Sequence, residues 1–519
     1  MLDDRPRSRT RRRTGSLLAI APLLALLIAA CGGSASPVAA SVRGGVDGKS
    51  GAGRGVGVAA AAGAVTLRDW PEFGLNAQRS DASDASTGIT AANVGHLRRV
   101  RVALPGTVDS SPIYLHGVRV GGAVRDVAIV TTTYGRTLAL DPSSGRILWT
   151  FTPPGYARWA GSAQITTASP IADPDHRFLY ATSPNGLVHK LALADGREDR
   201  GGAWPVAITR DATHEKLAAA LNIDGPDVIV ATGGYIGDIP PYQGHVALID
   251  RASGALRGVF NTLCAGRREL IAPASCAASD SAILSRGGPV VEPGGGRILI
   301  DTGNGPWNGA TNFGDSVLEL TFPGLRVRQS YTPTNQAQLN ASDTDLGSSA
   351  PALLGEDRVV LAGKDGIMRV LALSRLDGHP PSSDHATLGG EVQQLPIPGA
   401  GQLFTAPAVW RHGGRTTVFV AGFAGTGAYA LRGGRLRALW INRDAGTSPI
   451  LAGGLLYVYD PNAGGINVYA PSSPRPLVKL PGASGHWNSP IVVDGQILEP
   501  EGNANEHSLT GTLDLFSVG

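Results

Sequence analysis

Residues 111–149, SPIYLHGVRVGGAVRDVAIVTTTYGRTLALDPSSGRILW, set out a unit that the rest of the chain repeats. A small residue and a proline, Ser111-Pro112, lead into an apolar strand, and Val127 to Val130 supply a second. After a glycine turn, Arg136 to Asp141 alternate as a third strand; after Ser144-Gly145, Arg146 to Trp149 form an outer one. Short apolar and β-branched runs cut by Gly, Asp and Ser predict four antiparallel strands. The Pro-led start recurs at Ser169-Pro170, Gly288-Pro289, Ala350-Pro351, Ala406-Pro407, Ser448-Pro449 and Ser489-Pro490, with prolines 58, 119, 62, 56, 42 and 41 residues apart. The long interval holds a unit without its proline, at Val228–Gly234 and Gly244–Asp250, which brings the total to eight.

Eight units of four short strands predict an all-β chain folded as an eight-bladed β-propeller of four-stranded antiparallel blades. A closed ring removes free sheet edges, and Leu97–Val102 is expected to complete the final blade and clasp the two ends. A stack of β-sandwiches would need linkers and would lose a common phase, whereas this repeat runs unbroken from about residue 100 to 519. With 71 Gly and 36 Pro in 519 residues, the composition favours tight turns; only 17% charged and 42% hydrophobic residues exclude a coiled coil and a disordered chain. Helical periodicity is confined to about Thr213–Leu221.

The basic balance sits at the start. Residues 1–30 hold six Arg and two Asp, a net +4, so the remainder of a chain with formal charge +3 carries about −1. Such a body has no polybasic footprint, and nucleic acid is excluded as the main partner. Arg5 to Arg13 form a positive segment, Leu17 to Ala30 an apolar stretch too short for a comfortable bilayer span, and Leu-Ile-Ala-Ala precedes Cys31. This order is similar to a bacterial lipobox: residues 1–30 read as a signal peptide and Cys31 as the lipidated residue. Residues 31–65, rich in Gly, Ala, Ser and Val, read as a flexible tether, and 66–519 as the propeller. The expected location is extracytoplasmic, lipid-anchored to the bacterial cell envelope. Gly51 to Gly57 superficially matches a phosphate loop but lacks the flanking strand and helix. Cys264 and Cys276, close in sequence in an exported chain, are expected to form a local disulfide.

Ala139-Leu140-Asp141-Pro142-Ser143-Ser144-Gly145-Arg146-Ile147-Leu148-Trp149 resembles the tryptophan-docking repeat of quinoproteins. Trp70-Pro71-Glu72-Phe73-Gly74, Ile89–Leu97, Asp301–Asn308 with Gly314-Asp315, Tyr331-Thr332-Pro333 and Asp343–Leu346 are similar, in the same order, to motifs of quinoprotein alcohol dehydrogenases. The resemblance implies pyrroloquinoline quinone (PQQ) held over a Ca²⁺ ion near the propeller axis. It implies Asn304, Asp343 and Asp238 as metal ligands, Asp343 also as the general base, and Lys364, Arg286 and Asn304 as cofactor contacts. Two family features are missing. Thr131–Gly135 stands where the family has a vicinal disulfide, and Arg286 where it stacks a Trp beneath the cofactor. His486-Trp487-Asn488 and Glu499-Pro500-Glu501 are further polar clusters, expected at one mouth of the ring. Two functions stay open: an anchored binding or interaction scaffold with a protein or small-molecule partner, or a PQQ- and Ca²⁺-dependent dehydrogenase of alcohols or sugars.

Overall fold

The computed structural model describes residues 65–382 and 386–519; the expected leader, Cys31 and nearly all of the tether lie outside them. Eight blades of four antiparallel strands form the propeller, one of them extended by the short strand Ala82–Ser83, which pairs parallel with its inner strand. Blade 1 consists of Ile113–Val120, Ala123–Thr131, Thr137–Leu140 and Ile147–Phe151. In every Pro-led blade the inner strand starts one residue after the proline, at Ile113, Ile171, Val290, Ala352, Ala408, Ile450 and Ile491. Proline suits that place because the residue ahead of the first ladder position needs no N–H there. The unit without a proline is blade 3: Asn222–Asp224, Asp227–Ala231, His245–Asp250 and Leu256–Asn261.

Closure uses both ends of the propeller. Arg98–Leu104 pairs antiparallel with Gly511–Ser517, from Arg98 opposite Ser517 to Leu104 opposite Gly511. The early strand thereby becomes the outer, fourth strand of blade 8 and clasps the two ends of the ring.

Apolar contact between neighbouring blades carries the core. Trp149 and Phe151 of blade 1 cluster with Ala172, Leu179 and Leu191 of blade 2. The Trp149 indole donates to Leu193 O at 2.9 Å and lies on Gly196, where any Cβ would strike its ring. Gly196 also has φ +72°, a second reason for glycine at this turn. Trp440 repeats the docking farther round, donating to Pro471 O at 2.9 Å.

Thr213–Leu221 is not helical. Glu215–Lys216 forms a short strand against Gly233–Gly234, and the segment then runs across the axis, its carbonyls at Leu217 and Ala218 accepting from Thr166 and Thr167. Bonds to neighbouring blades override the local helical preference of its alanines. The one α-helix among the described residues is Gln336–Ala341. Cys264 and Cys276 are joined by a disulfide.

A strap preceding the blades closes one face. Its backbone stitches the ring: Asp494 N–H donates to Leu67 O, Tyr114 and Trp70 exchange bonds, and Ala172, Val291, Val409 and Leu451 donate to Pro71, Ala77, Ser80 and Asp81. Asn222 adds a side-chain bond to Ala77 O at 2.9 Å. Phe73 seals the axis, buried in a cluster with Ala220, Ala350 and Ala406. Burying such a ring contributes about 2–3 kcal/mol.

Candidate functional site

Above the Phe73 seal lies a cavity of about 580 Å³. It is built by one position of the repeat. The residue three before each proline is Asp109, Thr167, Arg286, Ser348, Phe404, Gly446 or Trp487, and Ala218 holds the same register in blade 3. Of these, Thr167, Ala218, Arg286, Phe404 and Trp487 line the cavity. The position one before the proline supplies Ala350 and Ala406 to the seal. Loops entering the inner strands therefore decide the character of the axis, layer by layer. A larger groove of about 680 Å³ lies on the outer wall beside Phe260, Phe313 and Arg326, away from this chemistry.

One end of the cavity is acidic. Asp345 is buried; its Oδ1 accepts the Asn304 N–H at 2.8 Å, and its Oδ2 lies 2.6 Å from Lys364 Nζ. Asp343 Oδ1 is 3.5 Å from the same ammonium. Burial works against the charge on Lys364, but Asp345, then Asp343 and Asp238, outweigh it and hold the ammonium above the usual lysine range. Asp238 accepts from Tyr242 Oη at 3.0 Å; burial, with Asp343 and Asp345 nearby, raises its carboxyl. Asp238 and Asp343 both have positive φ, at +46° and +49°, which aspartate tolerates in tight loops.

The other end is cationic and aromatic. Arg286 Nη1 donates to Asp109 O at 2.7 Å and to Thr167 O at 3.3 Å, and its Nη2 meets Asp109 Oδ1 at 3.1 Å. Asp109 Oδ2 accepts from the Ala504 N–H at 3.0 Å and faces His486 Nδ1 at 2.7 Å. Burial would push the Asp109 carboxyl up, but Arg286 and His486 hold it well below the carboxylate range. His486, Trp487 and Phe404 stack in sequence, with centroids 3.9 and 4.7 Å apart. The Arg286 guanidinium lies over the Trp487 ring at 5.0 Å, a cation–π contact. Lys216 also faces this end; burial and the neighbouring Arg286 push its ammonium down to about 7, against the pull of Asp109.

Four residues singled out in the sequence, Asp238, Arg286, Asp343 and Lys364, line this one cavity. Asn304 does not contribute its amide to the wall; its backbone N–H holds Asp345 instead. Glu499 and Glu501 are also elsewhere. Glu499 is buried within blade 8 opposite Asp514, and Glu501 accepts from Arg101 at 2.6 Å. The site gains Asp109, Lys216, Asp345 and Phe404, none of which was singled out as a site residue. Their signal was positional: Asp109 and Phe404 share the repeat position of Arg286 and Trp487.

The axial side chains do not fit Ca²⁺ in this arrangement. An oxygen cage needs several carboxylate or amide oxygens converging on one point. Here the Lys364 ammonium already pairs with Asp345 and lies within reach of Asp343, Asp238 accepts from Tyr242, and the Asn304 amide is absent from the wall. Among the described residues, the trio with ligand atoms close enough for an ion is His116, Asp126 and Asp494, away from the axial cavity. Arg68 Nη1 donates to His116 Nε2 at 3.0 Å, which leaves the Nδ1 hydrogen facing Asp126 and Asp494 at 2.9 and 3.2 Å.

Asp301 lies beneath the acidic end. Ser285 Oγ donates to its Oδ1 at 2.9 Å, while its buried Oδ2 has no partner. Burial raises this carboxyl to about 8, with a smaller push from Asp345. A carboxyl with a folded pKa above its unfolded value stabilises at low pH, and that stability is lost as pH rises from about 4 through 8. Asp301→Asn is therefore expected to raise stability at pH 8 relative to the parent and to flatten the decline between pH 5 and 8. Denaturant melts at both pH values check this; an equal change at pH 5 and 8 would show that Asp301 does not titrate.

A family model described as outer membrane protein assembly factor BamB matches residues 82–268. Among solved structures, a quinohemoprotein alcohol dehydrogenase from Comamonas testosteroni is 15% identical, with 88% of this chain and 82% of that one covered at a TM-score of 0.62. A quinohemoprotein alcohol dehydrogenase from Pseudomonas putida HK5 is 14% identical over 88% and 81%, with a TM-score of 0.63. A europium-containing methanol dehydrogenase is 14% identical over 87% and 98%, with a TM-score of 0.61. No curated protein matches. These matches bear out the resemblance to the quinoprotein propeller-repeat family; at such identities the solved structures speak for the fold.

Proposed function

We propose that this chain is an exported, membrane-anchored propeller that serves as a binding scaffold and holds a small, planar, anionic molecule in its axial cavity. One observation carries the reading: the cavity has a built cationic and aromatic end, from Arg286, Lys216, Trp487 and Phe404, while at its other end Lys364 is paired with Asp345. Aromatic walls with a few placed charges suit a flat ligand. The lipobox-like Cys31 and the tether support the anchor, and the loop-rich faces of the ring suit a protein partner.

A second reading, a PQQ- and Ca²⁺-dependent dehydrogenase of alcohols or sugars, is favoured by Asp238, Arg286, Asp343 and Lys364 sharing one cavity. A bound quinone would supply the hydride acceptor, and Asp343, the exposed carboxylate, would take up the alcohol proton. This reading requires Lys364 to release Asp345.

Calorimetry of the purified chain with pyrroloquinoline quinone, with Ca²⁺ and with chelator, separates the two. The scaffold reading expects binding that is indifferent to Ca²⁺ and no dye reduction with alcohols or sugars. Ca²⁺-dependent binding with alcohol-driven dye reduction establishes the second reading. Absence of heat under both conditions removes the axial cavity as a site for such a ligand.

A further inference from the structure

We propose that Lys216 is a carbonyl-capturing amine: it forms a reversible imine with a small aldehyde or ketone acid at the cationic end of the axial cavity. This rests on the reading that the cavity admits small molecules, but it needs neither a quinone nor a metal.

The chain has only five lysines, at 49, 190, 216, 364 and 479. Lys190 donates to Arg251 O at 3.0 Å and pairs with Asp199 at 3.1 Å. Lys364 pairs with Asp345, and Lys479 with Asp460 at 3.0 Å. Among the described lysines, Lys216 alone has neither a side-chain hydrogen bond nor an ion pair, and its side chain lines the cavity. The backbone puts it there. In the short strand Glu215–Lys216, Glu215 turns to the opposite side, where it pairs with His245 Nε2 at 2.9 Å and accepts the Gln243 N–H at 3.2 Å. Strand alternation then turns Lys216 inward.

A partly buried amine beside another fixed cation is disfavoured as ammonium and keeps its lone pair near neutral pH, which makes it a nucleophile toward carbonyl carbon. The groups acting on it most strongly are Arg286 and Asp109; Asp238, Asp343, Asp345, Lys364 and His486 face the same space. Arg286 supplies positive potential for the carboxylate of a keto or aldehyde acid. The reaction balances without a co-reactant. The amine nitrogen adds to the carbonyl carbon, the oxygen takes up protons and leaves as water, and a C=N bond replaces C=O with no change in oxidation level.

The test uses the full chain, glyoxylate as probe and cyanoborohydride to reduce the imine, with mass spectrometry of every lysine peptide. At pH 7, Lys216 is expected to be modified about 10²-fold faster than Lys190 or Lys479. Its rate should saturate with glyoxylate and have a midpoint near the value of 7 given by its surroundings. Lys216→Arg keeps a cation but forms no imine, and should lose this adduct while melting as a folded protein. Modification of Lys216 at the rate of the other lysines, or with the midpoint of an ordinary amine, overturns the proposal. If the quinone binds while Lys216 stays unmodified, only this proposal falls; if neither molecule engages the cavity, the binding reading falls with it.

Discussion

Arg79→Ala is expected to cost about 3–5 kcal/mol of stability, the loss seen when one partner of a buried ion pair is deleted. Arg79 is 1% exposed, yet all three nitrogens of its guanidinium donate. Nη1 donates to Glu72 Oε2 and to Phe73 O, both at 2.7 Å. Nη2 donates to Leu221 O at 2.6 Å, and Nε to Gly287 O at 2.9 Å. One side chain thus ties the strap to blades 3 and 4 at the rim of the Phe73 seal. Its removal leaves the Glu72 carboxylate without its cation and three carbonyls without a donor. Burial already raises Glu72, and burial holds Asp81 far above the carboxylate range despite Arg79; without the guanidinium both would be driven further toward the neutral acid. Arg79→Lys keeps the charge but not the planar fork and should fall between the two. Thermal and denaturant melts read the outcome. A variant that melts within about 1 °C of the parent would mean that the strap is held by its backbone bonds alone.

Arg286→Ala is expected to weaken binding of an anionic ligand by about 10–100-fold, the range for loss of a charged hydrogen-bonding partner, and to destabilise the chain by about 3–5 kcal/mol. Both effects come from one geometry. The guanidinium holds Asp109, caps the Thr167 carbonyl and covers Trp487. The pH dependence separates this role from mere packing. Asp109 has a folded pKa depressed below its unfolded value, so its contribution is fully present above about pH 4 and is lost as pH falls below that. In Arg286→Ala the depression shrinks, and the acid limb of the stability profile should flatten relative to the parent. Calorimetry with the quinone and acid titration of the melt give the two readouts. Unchanged affinity would sever Arg286 from the ligand, and an unchanged acid limb would sever it from Asp109.

The fold was legible because it is written repeatedly. Proline three residues after an axial position, then a strand and a glycine turn, recur in one phase, and a ring is the arrangement that satisfies every unit alike. The unit lacking its proline was still readable from Val228–Gly234 and Gly244–Asp250. The helix expected at Thr213–Leu221 failed because the segment bonds to blades 2 and 4, partners distant in sequence. For the site, motif resemblance reached Asp238, Arg286, Asp343 and Lys364. It assigned Asn304 by its amide, whereas the fold uses its backbone N–H. It passed over Lys216, an unremarkable residue inside a supposed helix, and Asp109, whose partners Arg286 and His486 lie far along the chain.

Sequence by itself determined the repeat, the all-β class, the closure by an early strand and part of the axial set, Asp238, Arg286, Asp343 and Lys364. Local strand and turn preferences, summed over eight units, leave little other choice. Tertiary structure alone decided what those axial residues do to one another. Whether Lys364 meets a carboxylate or a metal, and whether Lys216 finds a partner, depends on distances of a few ångströms between separate blades. Burial turns such distances into large differences in charge state.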